Sequence, residues 1–275
     1  MSFFDELREN YHSQPNEVSL ETQAVCNASC TFCPYTTLER IGTKMPDALI
    51  DRLIGEMAEW QHPFYFSPFK VSDPLLDVRL LPICRKVNER VPKAAIRIFT
   101  NGSALTAKHM DGIAGLERVA HLWVSLNTHR PVEYRALMGL DFDRTARNLD
   151  RLHERDFPHP VVVSRVGPDD DFVKYVGWRW PKFRIGVIKR DAWINFTNAD
   201  SDEVPDAPCG RWWDLNITAT GKAARCCMDG EGKYGFGDVN TQSLLEIYNH
   251  PTLRNWRDQA LSRRVVGTPC STCTY

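Results

Sequence analysis

The sequence predicts an α/β protein: a partial β/α barrel followed by a smaller C-terminal segment. Three observations carry that expectation. From about residue 16 to 190, strand-like and helix-like stretches alternate, the pattern of a parallel sheet with crossover helices. About six such units fit in that length, too few to close an eight-stranded barrel. After residue 195 the texture changes to short segments rich in glycine and cysteine.

Each element has a local reason. Val18-Ser19-Leu20 is a short strand, and Pro46 to Trp60 places Leu49, Ile50, Leu53, Ile54 and Met57 at helical spacing. Phe64 to Val71 is aromatic and strand-like, and Leu75 to Val91 reads as one helix closed by Pro92. Ala94 to Phe99 is a β-rich run ending in the turn signal Thr100-Asn101-Gly102. Leu122 to Leu126 is a strand, with helical stretches at Val132–Met138 and Thr145–Leu152. Val161 to Val163 and Phe183 to Ile188 supply the fifth and sixth strands. Asn198 to Pro208 is a polar linker; Leu215–Thr218 and Ala223–Cys227 flank Thr220-Gly221-Lys222 as a hairpin, and Ser243 to Tyr248 starts a short helix. The expected division is 1–195 and 196–275.

Composition removes several classes. The chain has 275 residues, 34 Lys plus Arg against 35 Asp plus Glu, and a formal charge of −1. That balance provides no basic field for nucleic acid. No apolar run is long enough to span a bilayer, so no membrane partner is expected. The start MSFFDELREN lacks the flank and apolar core of a signal peptide, which points to the cytoplasm.

Nine cysteines are the unusual feature, and an odd number cannot pair completely. Cys26, Cys30 and Cys33 lie within eight residues after the first strand, a spacing that wraps a loop around one soft metal centre. By spacing alone a zinc site competes with a four-iron cluster, but zinc needs a fourth ligand, and His12 and His62 lie outside the loop. Asp73, Asn101 and Asn127 also follow strands, so all would share the C-terminal rim where β/α folds collect their chemistry.

CxxxCxxC after the first strand, with Phe32 before the last cysteine, resembles the radical S-adenosylmethionine (SAM) enzymes. The resemblance implies a partial (β/α)6 TIM-like barrel in which Cys26, Cys30 and Cys33 hold a [4Fe–4S] cluster, the open iron chelating SAM. Phe32 would lie by the adenine. Ser72-Asp73-Pro74 stands where the family has Gly-Glu-Pro, so Asp73 would take the SAM amine with a carboxylate one methylene shorter. Thr100-Asn101-Gly102 and Val124-Ser125-Leu126-Asn127 resemble the third- and fourth-strand segments, which makes Asn101 and Ser125 cofactor contacts. Judged alone, Asp73 before a proline is a helix cap.

Cys209, Cys227, Cys270 and Cys273 suit a second metal site, and spacing alone leaves zinc and iron–sulfur equal. Either Cys226 or Cys227 would serve, because neighbours on a strand face opposite ways; the motif favours Cys227. Pro208-Cys209, Cys226-Cys227-Met228-Asp229 and Pro269-Cys270-Ser271-Thr272-Cys273 resemble a SPASM/twitch extension. That resemblance implies a twitch domain, hairpin plus helix, around one auxiliary [4Fe–4S] cluster. Cys226 is then left over, as a buried thiol or as a hydrogen donor; Cys84 reads as core.

These resemblances imply an enzyme that cleaves SAM to a 5′-deoxyadenosyl radical and abstracts a C–H hydrogen from a small polar substrate such as a sugar, aminocyclitol or aminoglycoside. The leading version is a dehydrogenase that makes a ketone, with the auxiliary cluster as electron acceptor and an external reductant such as flavodoxin or ferredoxin. Rivals are an epimerase using Cys226, a peptide-modifying maturase and a non-catalytic zinc module. Arg165 and Lys189, at the ends of strands five and six, are candidate substrate contacts. Trp178, Trp180, Trp193, Trp212 and Trp213 read as packing at the junction. The histidines show no ligand spacing and read as surface or satisfied core residues.

Overall fold

A computed structural model describes residues 3–190, 192–194, 196, 197, 201 and 203–275. The described chain opens with α1 (Phe3–Asn10) and β1 (Glu17–Leu20), then α2 (Asp47–Ala58) and β2 (Phe64–Ser67). α3 (Leu80–Arg90), β3 (Ala94–Thr100), α4 (Ala107–Ala114) and β4 (Val119–Ser125) follow. α5 (Pro131–Met138) and α6 (Phe142–His153) lead to β5 (Val161–Val166), α7 (Asp170–Arg179) and β6 (Arg184–Ile188). The C-terminal part holds β7 (Asp214–Ile217), β8 (Ala223–Ala224), α8 (Leu244–Tyr248) and α9 (Pro251–Asp258).

One sheet runs β6-β5-β4-β3-β2-β1-β7-β8. β1 to β6 are parallel, the partial barrel that the alternating pattern predicts. β7 and β8 form the expected antiparallel hairpin. The hairpin is not a separate sheet, however: β7 pairs in parallel with β1, Val18 opposite Leu215 and Leu20 opposite Ile217. The linker reading of Asn198 to Pro208 lies partly outside the described residues, as does the proposed boundary at Asn195.

Alternation along the strands decides what each face carries. On β3, Ala94, Ile96, Ile98 and Thr100 are buried, and the first three join a core with Leu81, Cys84, Val87, Met110 and Ile113 of the helices. Arg97 and Phe99 project from the opposite face, where Arg97 pairs with Glu17 at 2.7 Å and lies over the Tyr65 ring. A second apolar cluster joins Leu7 of α1 to Trp212, Trp213, Trp256, Cys209 and Cys270.

Two local expectations need correction. The stretch 75–91 is not one helix: a 3-10 turn at Pro74–Leu76 precedes α3, because Asp73 caps the turn and Asp77 bonds to Thr22 and Arg79 instead of continuing it. α1, α4, α7 and α9 were not expected as helices. Side-chain caps give α4 and α7 their starts, Thr106 with His109 and Asp169 respectively.

Candidate active site

The cysteine loop leaves β1 and returns as a 3-10 turn at Pro34–Thr37. It is docked on the end of α5, where the Ser29 and Thr31 amides donate to the carbonyls of Met138 and Leu137, both at 3.0 Å. The approach requires Gly139, whose φ is 68° and whose added Cβ would fall 2.1 Å from Ser29 Oγ. The Cys30 thiol donates to Met138 Sδ at 3.4 Å, and Asn127 Nδ2 donates to the same sulfur at 3.1 Å.

Cys26, Cys30 and Cys33 all line one cavity of about 180 Å³. The cavity also takes in Phe32, Asp73, Asn101, Ser125 and Asn127, so every residue expected at the first site reaches it. Sequence reasoning missed several of its walls, among them Phe69, Lys70, Phe99, Met138 and Trp193. For Trp193 the packing expectation is replaced by a place at the cavity. A lysine directly after the β2 aromatic run was the one readable signal.

Asp73 is fully committed within the protein. Its carboxylate accepts from the Thr100 hydroxyl at 2.8 and 3.0 Å, from the Asn101 amide at 2.9 Å and from the Leu75 amide at 3.1 Å. Burial raises its pKa against the pull of these donors. Asn101 donates to Asn27 Oδ1 at 2.9 Å, and Asn27 donates to Ser103 Oγ at 2.7 Å, which ties the cysteine loop to the end of β3. Burial pushes the Cys26 thiol up to about 12 and raises those of Cys30 and Cys33. Without a cation these sulfurs stay protonated; iron would deprotonate them outright.

The second cysteine group also converges. Burial, with the charges of Cys273 and Cys227 adding after the opposing effect of Arg263, pushes Cys209 up to about 11. Burial raises Cys226 well above its usual value, followed by Cys227, Cys209 and Cys270. β8 ends at Ala224, so Cys226 and Cys227 lie beyond the strand and strand alternation does not separate them. All nine cysteines are free thiols. Among the described residues no three His, Cys, Asp or Glu side chains are close enough to hold a single ion. Three sulfurs around one cavity, and five more carried by Cys209, Cys226, Cys227 and the Cys270–Cys273 turn, provide donor sets suited to clusters larger than one ion.

Arg165 and Lys189 do not reach the cavity lining. Arg165 pairs with Asp169, and Lys189 donates to the Thr274 carbonyl at 3.0 Å. Trp180, Trp212 and Trp213 are buried, while Trp178 is exposed. His109 caps α4, and the half-buried His121, packed edge-on against Phe99 and Trp123, has an Nε2 without a hydrogen-bond partner among the described residues.

Residues 20–176 match the Radical SAM superfamily, more than half of the chain, and the chain belongs to it. Residues 209–274 match SPASM, an iron–sulfur cluster-binding domain. The cofactors are accordingly a SAM-binding [4Fe–4S] cluster, an auxiliary cluster and SAM. A 100-residue stretch is 28% identical to the S-adenosyl-L-methionine-dependent 2-deoxy-scyllo-inosamine dehydrogenase of Niallia circulans, spanning 36% of this chain and 40% of that protein. The crystal structure of BtrN in complex with AdoMet and 2-DOIA superposes with a TM-score of 0.70 at 19% identity, covering 94% of this chain and 93% of BtrN. SuiB of Streptococcus suis bound to precursor peptide SuiA gives a TM-score of 0.71 at 13% identity, covering 98% of this chain and 72% of SuiB. No helix among the described residues is long and apolar enough to cross a membrane.

Proposed function

We propose that this chain is a radical SAM dehydrogenase that oxidises an alcohol of a small polar substrate, a sugar, aminocyclitol or aminoglycoside, to a ketone. The observation that carries the reading is the convergence of Cys26, Cys30, Cys33, Asn101 and Ser125 on one cavity, with a second cysteine set behind its Lys70 wall. Partial identity to an aminocyclitol dehydrogenase supports the substrate class.

When bound, SAM and the two clusters supply one-electron cleavage of SAM to methionine, a 5′-deoxyadenosyl radical that takes the substrate hydrogen, and an acceptor for the second electron. The alcohol carbon loses a hydrogen atom, one further electron and the hydroxyl proton. A reductant such as flavodoxin or ferredoxin in the cytoplasm would supply the electron that starts the reaction, and the electron released by the substrate would leave through the auxiliary cluster, so that no net external electron is consumed.

The protein's part is holding and shielding. Residues 1–195 carry Cys26, Cys30 and Cys33 for the first cluster, and residues 196–275 carry Cys209, Cys227, Cys270 and Cys273 for the second. Phe32 offers an aromatic wall to the adenine, and Asn101 and Ser125 offer polar groups to SAM. Asp73 would meet the SAM amine only through oxygens already shared with Thr100, Asn101 and Leu75, and those bonds also hold the cavity's shape. Phe69, Phe99 and Trp193 keep water from a reactive radical.

The test is anaerobic purification followed by iron, sulfide and zinc analysis, then incubation with SAM, dithionite and 2-deoxy-scyllo-inosamine. About eight irons per chain, 5′-deoxyadenosine and a carbonyl product are expected. Zinc without iron after reconstitution sinks the reading.

A further inference from the structure

Lys70 is buried, and among the described residues no carboxylate is within ion-pair distance of its ammonium. Its Nζ donates to three backbone carbonyls: Asp229 at 2.6 Å, Cys227 at 3.4 Å and Gly230 at 3.5 Å. An ammonium has three N–H donors, so none remains for a ligand in the cavity. Its side chain is nevertheless part of the cavity wall. Burying a charge to fill a wall is costly where an apolar side chain would do. All three hydrogen-bond acceptors of the ammonium lie in the loop that carries Cys226 and Cys227, and the charges of Glu21 and Asp229 add to their compensation.

That loop is tied together by its own hydrogen bonds. The Asp229 carboxylate accepts from the amides of Arg225, Gly232, Lys233 and Tyr234 at 3.0 to 3.1 Å. A second tie runs in parallel. Glu21, after β1, accepts from the Val71 amide, from the Ala219 amide and from Arg40 at 2.6 and 3.0 Å, and Arg40 reaches Glu231 at 3.7 Å. Lys70 and Val71 are thus held between the SAM cavity and the auxiliary cysteine loop, with each side fixed by hydrogen bonds.

We propose that Lys70 is a positioning residue that couples the two sites: filling the cavity against its stem restrains the 225–234 loop through its ammonium, and the loop in turn sets the cavity wall. The coupling rests on reading the cavity as the SAM site, and linkage makes it reciprocal.

Hydrogen exchange on the reconstituted holoenzyme, clusters oxidised so that SAM is not cleaved, tests this with and without saturating SAM. SAM is expected to slow exchange of the Gly232, Lys233 and Tyr234 amides at least about fivefold. In Lys70→Met, which keeps the stem and removes the donors, the slowing is expected to fall below about twofold while residues 26–33 stay protected. Equal protection of 225–234 in both proteins overturns the coupling, as does protection of 26–33 alone in the wild type. Protection of neither segment overturns the coupling and the cavity assignment together. Where Lys70→Met does not retain its clusters, Lys70→Gln, which keeps one amide donor, is judged by the same criteria. No turnover enters the measurement, so failure to find a ketone product leaves it intact.

Discussion

The Thr100 hydroxyl donates to Asp73 at 2.8 Å and so closes the gap between the ends of β2 and β3 beneath the cysteine loop. Asp73 follows β2, Thr100 ends β3, and the next residue, Asn101, reaches across to Asn27. One buried carboxylate therefore fixes two rim segments and, through them, the loop that carries three cysteines.

Asp73→Ala leaves the Thr100 hydroxyl and the Asn101 and Leu75 amides without an acceptor in a buried setting. We expect a loss of about 2–3 kcal/mol in stability and at least about a tenfold rise in the SAM dissociation constant. Anaerobic denaturant unfolding and equilibrium dialysis measure the two. Wild-type stability and affinity in the variant would show that the network is dispensable.

Gly139→Ala combines a left-handed backbone with a Cβ driven into Ser29. The expected cost is about 1–3 kcal/mol, with partial loss of iron because the cysteine loop is pushed off α5. Adding Ser29→Ala should restore part of both, since the Ser29 hydroxyl is the nearest obstacle. An unchanged iron content in the single variant contradicts the docking argument.

The two cysteine sets should separate in iron analysis. Cys26→Ala is expected to keep about four irons and to lose 5′-deoxyadenosine formation. Cys209→Ala is also expected to keep about four irons, yet to retain SAM cleavage while losing the ketone. If either single variant keeps all eight, its ligand assignment is wrong.

Cys226 lies beside Cys227 just past β8, and it is the spare thiol of its group in the proposal that Cys227 is the ligand. In the dehydrogenase reading, Cys226→Ala still yields a carbonyl product. In the epimerase reading the same variant stops turnover, and the wild type in heavy water places one deuterium in the product. Mass spectrometry of the product decides between them.

Burial, followed by repulsion from Arg97, lowers the His121 imidazole to about 4. The unfolded chain therefore takes up the proton first, near its ordinary value of 6.5. The stability His121 contributes is fully present above pH 6.5 and is lost as the pH falls toward 4. Between pH 7.5 and 5.5 we expect a fall of about 1 kcal/mol, reduced by partial solvent screening. His121→Gln should flatten that slope in urea titrations at the two pH values; an unchanged slope assigns it to other groups.

Much of this molecule was legible because its chemistry is local in sequence. Cys26, Cys30 and Cys33 fall in one loop, and the strand signals before them set the rim on which they sit. Helices with an apolar stripe, such as α2 with Ile50, Leu53, Ile54 and Met57 buried, were equally plain. The short polar helices α4 and α7 were not, because caps rather than periodicity define them. Arg165 and Lys189 misled because a place at a strand end does not say whether a long cation turns inward or finds a nearby oxygen.

By itself the sequence determined the parallel β/α order, the hairpin and the two cysteine groups, since each depends on periodicity or spacing within a few tens of residues. Only the tertiary structure decided that β7 extends the barrel sheet beside β1, that Asp73 is already bonded to Thr100 and Asn101, and that Lys70 joins the cavity to the second cysteine loop. Those contacts link positions as distant as Lys70 and Asp229. Residues that far apart leave no periodic trace in the chain, and only packing brings a donor to its acceptor.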